Sequence, residues 1–191
     1  MKQDIDLQYE NAKFLDWTDS LKLIPNKEDK NILELGCGVG TQYLCNEFKN
    51  VYSFEVYSTN EWFEKSKQLL SKWNNWNGTF YTFEEIDLVQ AETELRNSNG
   101  KIRNENRLNT FYKNLNKFVD LNNIDVVFVD QAFHLRAETV NYFMKANIPF
   151  IFAHDTKKGS DMYGWPLVYK RDNYDMVLWN SYQGVTYWIK K

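Results

Sequence analysis

Residues 31–40 read NILELGCGVG, and this stretch decides the fold. Its first half is a short apolar run that predicts a β-strand, and its second half places Gly36, Gly38 and Gly40 at alternate positions before a helical pattern that begins at Thr41. A strand that stops at a glycine-rich turn and leads into a helix leaves backbone N–H groups uncovered, and the absence of Cβ atoms lets a ligand approach the main chain closely. The stretch therefore predicts a ligand-binding loop at the carboxyl end of a parallel strand.

Strand and helix patterns alternate on both sides of this loop. The β-branched run IDVVFVD at 124–130 is typical of a strand buried on both faces, and the two short runs around 182–184 indicate an antiparallel hairpin. The alternation predicts an α/β protein with a mostly parallel seven-stranded sheet, helices on both faces and a C-terminal antiparallel hairpin. We predict helices at 7–23, 41–48, 61–73, 108–118 and 137–146, strands at 31–35, 51–55, 79–83, 124–130, 149–155, 174–179 and 185–189, and a mobile polar loop at 96–106.

Composition limits the classes of protein that fit. The chain has 191 residues, 43% of them hydrophobic, which predicts one domain over residues 1–191. The net charge of -3 offers no basic footprint, so we expect no nucleic-acid partner. Cys37 and Cys45 fit neither a zinc site nor a secreted disulfide framework, and no apolar run is long enough for a signal peptide or a membrane span. We therefore expect a cytoplasmic protein with no membrane partner. The sequence does not decide its oligomeric state.

The glycine spacing separates two kinds of nucleotide-binding loop. The dinucleotide fingerprint is G-x-G-x-x-G, and Thr41 stands where its last glycine would be, which disfavours a nicotinamide or flavin cofactor. The pattern Glu34-x-Gly36-x-Gly38-x-Gly40 instead resembles the first motif of class I S-adenosylmethionine-dependent methyltransferases. The resemblance implies the methyltransferase fold and S-adenosylmethionine as cofactor, with the glycines passing under its methionine part.

The resemblance also implies roles for acidic residues beside the loop. Glu34 is a partner for the ammonium group of the cofactor, with a charge tolerated at the strand end as the alternative. Glu55 ends the second predicted strand, where members of the family place a carboxylate that accepts both ribose hydroxyls. For the adenine amine, Glu84, Glu85 and Asp87 after the third strand all compete and the sequence does not choose among them, so Asp87 stands as one candidate.

Two later strands both end in an aspartate. Asp130 follows Val126–Val129 and Asp155 follows 150–154, and the alternative to a site is that they cap the next helices. The pair resembles the magnesium ligands of small-molecule O-methyltransferases of the catechol and macrolide-sugar kind, although the third ligand position carries Thr156. This resemblance implies Mg²⁺ as a second candidate cofactor, held by Asp130 and Asp155, which are then also candidate catalytic residues.

The two histidines of the chain both fall near these strand ends. His134 is our candidate general base, because an imidazole can take a hydroxyl proton at neutral pH; the alternative is a solvent-facing residue at a helix start. Alternation along the strand sends His154 to the side opposite Asp155, so we expect His154 to support the scaffold.

These features predict methyl transfer from S-adenosylmethionine to an oxygen of a small-molecule acceptor. Methyl transfer is a displacement at carbon, so the protein must supply chiefly positioning and an acceptor lone pair free of its proton. Two alternatives remain open from the sequence: a non-catalytic methyltransferase-like binding or scaffold protein, and other cofactor chemistry on the same fold.

Overall fold

The structure, a computed structural model, describes residues 4–5, 15–101, 103–157, 161–168 and 172–191. Its strands are β1 (Asn31–Leu35), β2 (Asn50–Tyr57), β3 (Trp76–Thr82), β4 (Val126–Val129), β5 (Phe150–His154), β6 (Tyr174–Trp179) and β7 (Val185–Lys190). Its α-helices are α1 (Thr41–Glu47), α2 (Glu61–Leu70), α3 (Val89–Asn97), α4 (Asn109–Phe118) and α5 (Arg136–Lys145). Short 3₁₀ helices lie at Thr18–Leu23, Lys27–Asp29, Glu105–Leu108, Leu121–Asn123, Asp161–Tyr163 and Trp165–Leu167.

The strands form one seven-stranded sheet in the order β3-β2-β1-β4-β5-β7-β6. The pairs from β3 to β5 are parallel, and β7 pairs antiparallel with both β5 and β6. The predicted fold class is therefore confirmed. Because β1 lies at the reversal of strand order, its carboxyl end faces the crevice where ligands of doubly wound sheets bind.

The central strands are apolar because both of their faces are covered. Successive residues of β1 enter different core clusters: Ile32 packs in the cluster that contains Trp17 and Val126, and Leu33 packs in the cluster that contains Phe111 and Phe143. Each side chain lies on the face that the strand's period of two dictates. This packing fixes β1, and with it the start of the glycine loop.

The segment before β1 closes against the last strand of the chain. The hydroxyls of Ser20 and Tyr187 lie 2.7 Å apart although the two residues are 167 positions apart in the sequence. Trp17 packs its ring 4.6 Å from that of Phe128 and 6.3 Å from that of Phe152. The N-terminal segment therefore lies on the face of the sheet formed by β4, β5 and β7.

Three sequence predictions need correction. The predicted helix at 7–23 is a 3₁₀ helix at Thr18–Leu23 within the described residues, and 7–14 lie outside them. Strands β2 and β3 are longer than predicted, because β2 continues to Tyr57 and β3 begins at Trp76, where it already pairs with Val51. The loop expected at 96–106 is partly helical, since α3 runs to Asn97 and a 3₁₀ helix begins at Glu105.

Among the described residues, no helix combines the length and the apolar character that crossing a membrane requires. All seven strands belong to the same sheet, and a single domain over residues 1–191 stays a prediction.

Candidate functional site

The glycine loop connects β1 to α1 and lies beside the end of β4. Gly36 has φ +105°, a conformation that side chains with a Cβ rarely adopt, and a Cβ there would lie 3.1 Å from the carbonyl oxygen of Asp130. The Gly36 N–H donates to the carbonyl of Phe54 at 3.1 Å, which fixes the loop to β2. Glycine at position 36 is therefore required by both backbone conformation and space.

A cavity of about 450 Å³ lies against this loop. Its volume is within the range of pockets that bind one small ligand or cofactor. It combines the loop with the acidic ends of two strands and with aromatic side chains from the N-terminal segment and α2. It is lined by Leu15, Trp17, Glu34, Gly36, Cys37, Gly38, Gly40, Thr41, Glu55, Tyr57, Trp62, Phe128, Asp130 and Ala132.

Glu34 is a buried carboxylate at the floor of the cavity, with 4% of its surface exposed. Its Oε2 accepts hydrogen bonds from the hydroxyls of Thr41 at 2.8 Å and Ser53 at 2.9 Å, and Thr41 Oγ1 accepts from the Gly38 N–H at 2.9 Å. Burial raises the pKa of Glu34 to about 8, against the lowering effect of these two hydroxyls. Glu34 therefore supports the loop and also contributes a carboxyl group to the cavity.

Glu55 lies in β2 two residues before its end, not at its end as predicted, because β2 continues to Tyr57. Its Oε2 accepts the N–H of Cys37 at 2.8 Å and its Oε1 accepts the N–H of Val56 at 3.0 Å. Burial raises the pKa of Glu55 to about 7, and the two backbone hydrogen bonds oppose that rise. The carboxylate lines the cavity and holds the middle of the glycine loop.

Two tryptophans from different parts of the chain contact the glycines. Trp62 in α2 donates its indole N–H to the carbonyl of Cys37 at 2.7 Å, and its ring lies 3.0 Å from where a Cβ on Gly38 would be. The ring of Trp17 lies 2.8 Å from the corresponding position on Gly40. Trp17 is 2% exposed and Trp62 is 36% exposed, so one forms a buried wall of the cavity and the other a partly open rim.

Asp130 and Asp155 come together, but an arginine lies between them. Arg136 Nη1 is 2.9 Å from Asp130 Oδ1 and 3.1 Å from Asp155 Oδ2. Asp130 lines the cavity, whereas Asp155 does not. Thr156, at the expected third ligand position, has its hydroxyl 2.9 Å from that of Thr186. Because one guanidinium nitrogen already contacts an oxygen of each carboxylate, this donor set does not fit Mg²⁺.

His154 lies on the same side as Asp155, which corrects the alternation argument. Asp155 has φ +58°, so the extended backbone ends at His154 and the period of two no longer applies. His154 Nε2 is 2.8 Å from Asp16 Oδ1, and Nδ1 is 3.6 Å from Asp130 Oδ1 and 4.0 Å from Asp155 Oδ1. Burial by itself lowers the pKa of His154, but the carboxylates of Asp130, Asp155 and Asp16 outweigh it and raise the pKa to about 9.

This raised pKa predicts a pH dependence of stability. A histidine whose pKa is higher in the folded state stabilises the fold fully below the ordinary pKa of 6.5, and that contribution is lost as the pH rises through about 9. We expect the free energy of unfolding to fall more across this window in the native chain than in His154→Gln. Urea denaturation at a series of pH values measures the difference, and parallel curves for the two proteins would contradict the assignment.

His134 and Asp87, two predicted site residues, lie away from the cavity lining. His134 Nδ1 contacts Glu92 Oε1 in α3, and its backbone N–H donates to Glu92 Oε2 at 3.1 Å. The ring borders a separate depression of about 160 Å³ and stacks on Tyr163 with centroids 5.5 Å apart. Asp87, Glu84 and Glu85 are exposed, and none lines the described cavity.

Sequence reasoning missed Trp17, Asp16 and Arg136. Trp17 and Asp16 lie in a segment read only as a helix, although a tryptophan and an aspartate side by side before the first strand were a signal. Arg136 lies six residues after Asp130, close enough for a helix start to return its side chain to the strand end. Arg136 can also pair with Asp155 because β4 and β5 are neighbours in the sheet. Only the strand order, and not the positions of the residues in the sequence, shows that these two strands are neighbours.

No protein-family model matches the sequence, and no curated protein matches it. The fold is similar to that of fibrillarin from Aeropyrum pernix with natively bound S-adenosyl-L-methionine (TM-score 0.58, 12% identity, 87% of this chain and 69% of that chain). It is also similar to an rRNA methylase from Streptococcus thermophilus (TM-score 0.55, 14% identity, 91% and 93%) and to a putative caffeoyl-CoA O-methyltransferase from Staphylococcus aureus (TM-score 0.53, 15% identity, 96% and 85%). The chain therefore has the class I S-adenosylmethionine-dependent methyltransferase fold, as the sequence predicted.

Proposed function

We propose that this chain is an S-adenosylmethionine-dependent methyltransferase that acts on an oxygen of a small-molecule acceptor. The observation that carries the proposal is the glycine-loop cavity of about 450 Å³, which holds two buried carboxyl groups, Glu34 and Glu55. Burying carboxylates is unfavourable unless a partner compensates for the lost hydration. A ligand with one cationic group and a pair of hydroxyls supplies such partners, and S-adenosylmethionine has both.

The residues of the cavity divide the work of binding. Glu55 accepts the two ribose hydroxyls, because each carboxylate oxygen retains a lone pair beyond its backbone N–H partner. Glu34, which lines the cavity beside the glycine loop, attracts the ammonium group. When bound, the cofactor supplies the electrophilic methyl group.

Asp130 is the group we assign to the acceptor. It lies at the end of β4 within the cavity lining, and 31% of its side chain is exposed. Arg136 fixes one carboxylate oxygen, so the side chain can receive a hydrogen bond from an acceptor hydroxyl in a defined direction. Asp155 acts through Arg136. His134 does not enter this scheme, because its ring is engaged with Glu92 outside the cavity.

A second candidate function is a binding or scaffold protein that takes up the cofactor without transferring its methyl group. The observation that favours it is that Arg136 already engages Asp130, the carboxylate assigned to the acceptor. Calorimetry with S-adenosylmethionine and S-adenosylhomocysteine tests cofactor binding, which both candidates require. Transfer of a labelled methyl group to a metabolite extract, with and without ribonuclease treatment, then separates small-molecule transfer, RNA transfer and no transfer.

Cofactor affinity should increase with pH. The pKa values of about 7 for Glu55 and about 8 for Glu34 mean that both groups hold protons below this window in the ligand-free protein. Binding a cation and two hydroxyl donors requires the ionised forms of both glutamates. Below the window each glutamate must lose its proton when the cofactor binds, so for each such proton the affinity falls by up to about tenfold per unit decrease in pH. Calorimetry in buffers of different ionisation enthalpy measures both the affinity and the protons released.

Glu34→Gln provides the control for this pH dependence. The amide oxygen can still accept from Thr41 and Ser53, and Glu34 is itself mostly protonated at neutral pH, so the ligand-free variant should be about as stable as the native chain at that pH. Its affinity should be lower at pH 8, and the part of the pH dependence centred near 8 should disappear. An unchanged pH profile would show that Glu34 does not ionise on binding.

A further inference from the structure

Arg136 occupies the space between the ends of β4 and β5 that a metal ion would need. Only 5% of its side chain is exposed. Its Nη1 contacts Asp130 Oδ1 at 2.9 Å and Asp155 Oδ2 at 3.1 Å, and lies 3.4 Å from the carbonyl oxygen of His154. Its Nε donates to the carbonyl of Gln131 at 2.9 Å. The guanidinium is therefore held by the loop after β4 as well as by the two carboxylates.

The same residues would otherwise form a cation site. One ligand atom each from Asp130, His154 and Asp155 lies within 4.8 Å of the others. A divalent ion bound there would approach the carboxylate oxygens to about 2.0–2.6 Å, where its charge would repel the guanidinium, whose Nη1 lies 2.9 and 3.1 Å from an oxygen of each aspartate. An arginine keeps its charge at every pH that proteins tolerate, so this repulsion does not depend on pH.

We propose that Arg136 is a positioning residue that takes the place of a divalent cation, so that the site holds Asp130 and Asp155 together without metal. The ring of Tyr163 covers the guanidinium, with its centroid 4.0 Å from Cζ. The contact with this ring and the hydrogen bond to the carbonyl of Gln131 oppose a movement of the guanidinium that would admit an ion. The catalytic consequence, metal-independent methyl transfer, rests on the proposed function, whereas the exclusion of metal does not.

The chain offers a matched control in a second buried arginine. Arg103 pairs with both oxygens of Glu138, at 2.6 Å from Nε to Oε1 and 2.8 Å from Nη2 to Oε2, and both side chains are 8% exposed. Removing Arg103 also breaks a buried ion pair, but it uncovers one carboxylate and not two. If the chain gains metal binding when Arg136 is removed but not when Arg103 is removed, the paired aspartates are therefore the metal ligands.

The test is a calorimetric titration with Mn²⁺ alone, on the native chain, Arg136→Ala, Arg103→Ala and the double variant Arg136→Ala with Asp155→Asn. We expect no binding to the native chain or to Arg103→Ala. Arg136→Ala should bind one Mn²⁺ with a Kd of about 10⁻³ M or tighter, and should melt at a higher temperature with Mn²⁺ than without it. The double variant should lose this binding, which a purely structural role of Arg136 does not explain.

Two results would overturn the proposal. One is Mn²⁺ binding to the native chain that Asp155→Asn abolishes. The other is a folded Arg136→Ala that binds no Mn²⁺. Arg136→Gln, which retains a donor for the carbonyl of Gln131, replaces the alanine variant in the same comparison if the latter does not fold.

A second experiment, the measurement of activity in excess chelator, tests whether methyl transfer is independent of metal. Methyl transfer by the native chain should be undiminished in excess chelator, and a loss that Mg²⁺ restores would also overturn the proposal. The Mn²⁺ comparison needs no methyl acceptor. A chain that binds no S-adenosylmethionine would therefore contradict the proposed function and leave the Mn²⁺ result to decide the role of Arg136.

Discussion

Replacement of Glu55 by alanine is expected to weaken cofactor binding by roughly 100-fold or more, the largest effect of any single substitution in the cavity. Each hydrogen bond between a charged carboxylate and a hydroxyl contributes about 1.5–3 kcal/mol, and Glu55 is assigned two of them. The change also removes the acceptor for the Cys37 N–H, so the glycine loop loses one of its hydrogen bonds to β2 and keeps that of Gly36 to Phe54. Calorimetry with S-adenosylhomocysteine measures the effect without a methyl acceptor.

Two variants make this prediction specific. Glu55→Gln keeps an acceptor for the Cys37 N–H but not the charge, so it should fall between the native chain and Glu55→Ala. Asp87→Ala removes an exposed carboxylate that does not line the cavity, and we expect native affinity from it, although the sequence named it for the adenine. Native affinity in a folded Glu55→Ala would refute the ribose assignment.

Trp17→Ala is expected to lower the free energy of unfolding by about 3–5 kcal/mol, the usual result of removing a large buried aromatic side chain. Trp17 is 2% exposed, packs on Phe128 and Phe152, and forms the wall of the cavity next to Gly40. The substitution should therefore weaken cofactor binding as well as stability. Chemical denaturation with and without S-adenosylhomocysteine measures both quantities.

Trp62→Ala is the counterpart on the open side of the loop. Its ring lies against Gly38 as that of Trp17 lies against Gly40, but it is 36% exposed, so its removal should change stability much less. A loss of stability as large as that of Trp17→Ala would mean that the hydrogen bond to the Cys37 carbonyl matters more to the fold than burial does.

The fold could be predicted because its signals are local. The run NILEL, the alternate glycines and the β-branched strand at 126–129 each specify their own element, and parallel connections of one hand arrange the elements. The helix α3 was missed because it lies in a polar stretch, where only Ala91, Glu92 and Leu95 are buried. Three buried positions in nine residues are too few for a helical period of hydrophobic residues to be recognised in the sequence.

The site could be predicted only where the strand ends decide it. The roles of Glu34, Glu55 and Asp130 stay predictions, but their position beside one cavity follows from sheet topology, because parallel strands bring their carboxyl-terminal parts to one edge. The partners of the histidines do not, since Glu92 is 42 residues from His134 and Asp16 is 138 residues from His154. The Mg²⁺ prediction stays without support for a related reason: the sequence showed two acids at adjacent strand ends but not the arginine between them.

The contact between the N-terminal segment and β7 has a consequence for biosynthesis. Trp17 forms a wall of the cavity, yet its segment is fastened by Ser20 to Tyr187 and by Asp16 to the N–H of Gln183. A chain emerging from the ribosome presents its glycine loop long before residues 183–187 exist, so the cavity can be completed only after most of the protein has been made. A ligand stabilises only the state that binds it, and so the cofactor should protect finished molecules from proteolysis but give no help to nascent ones.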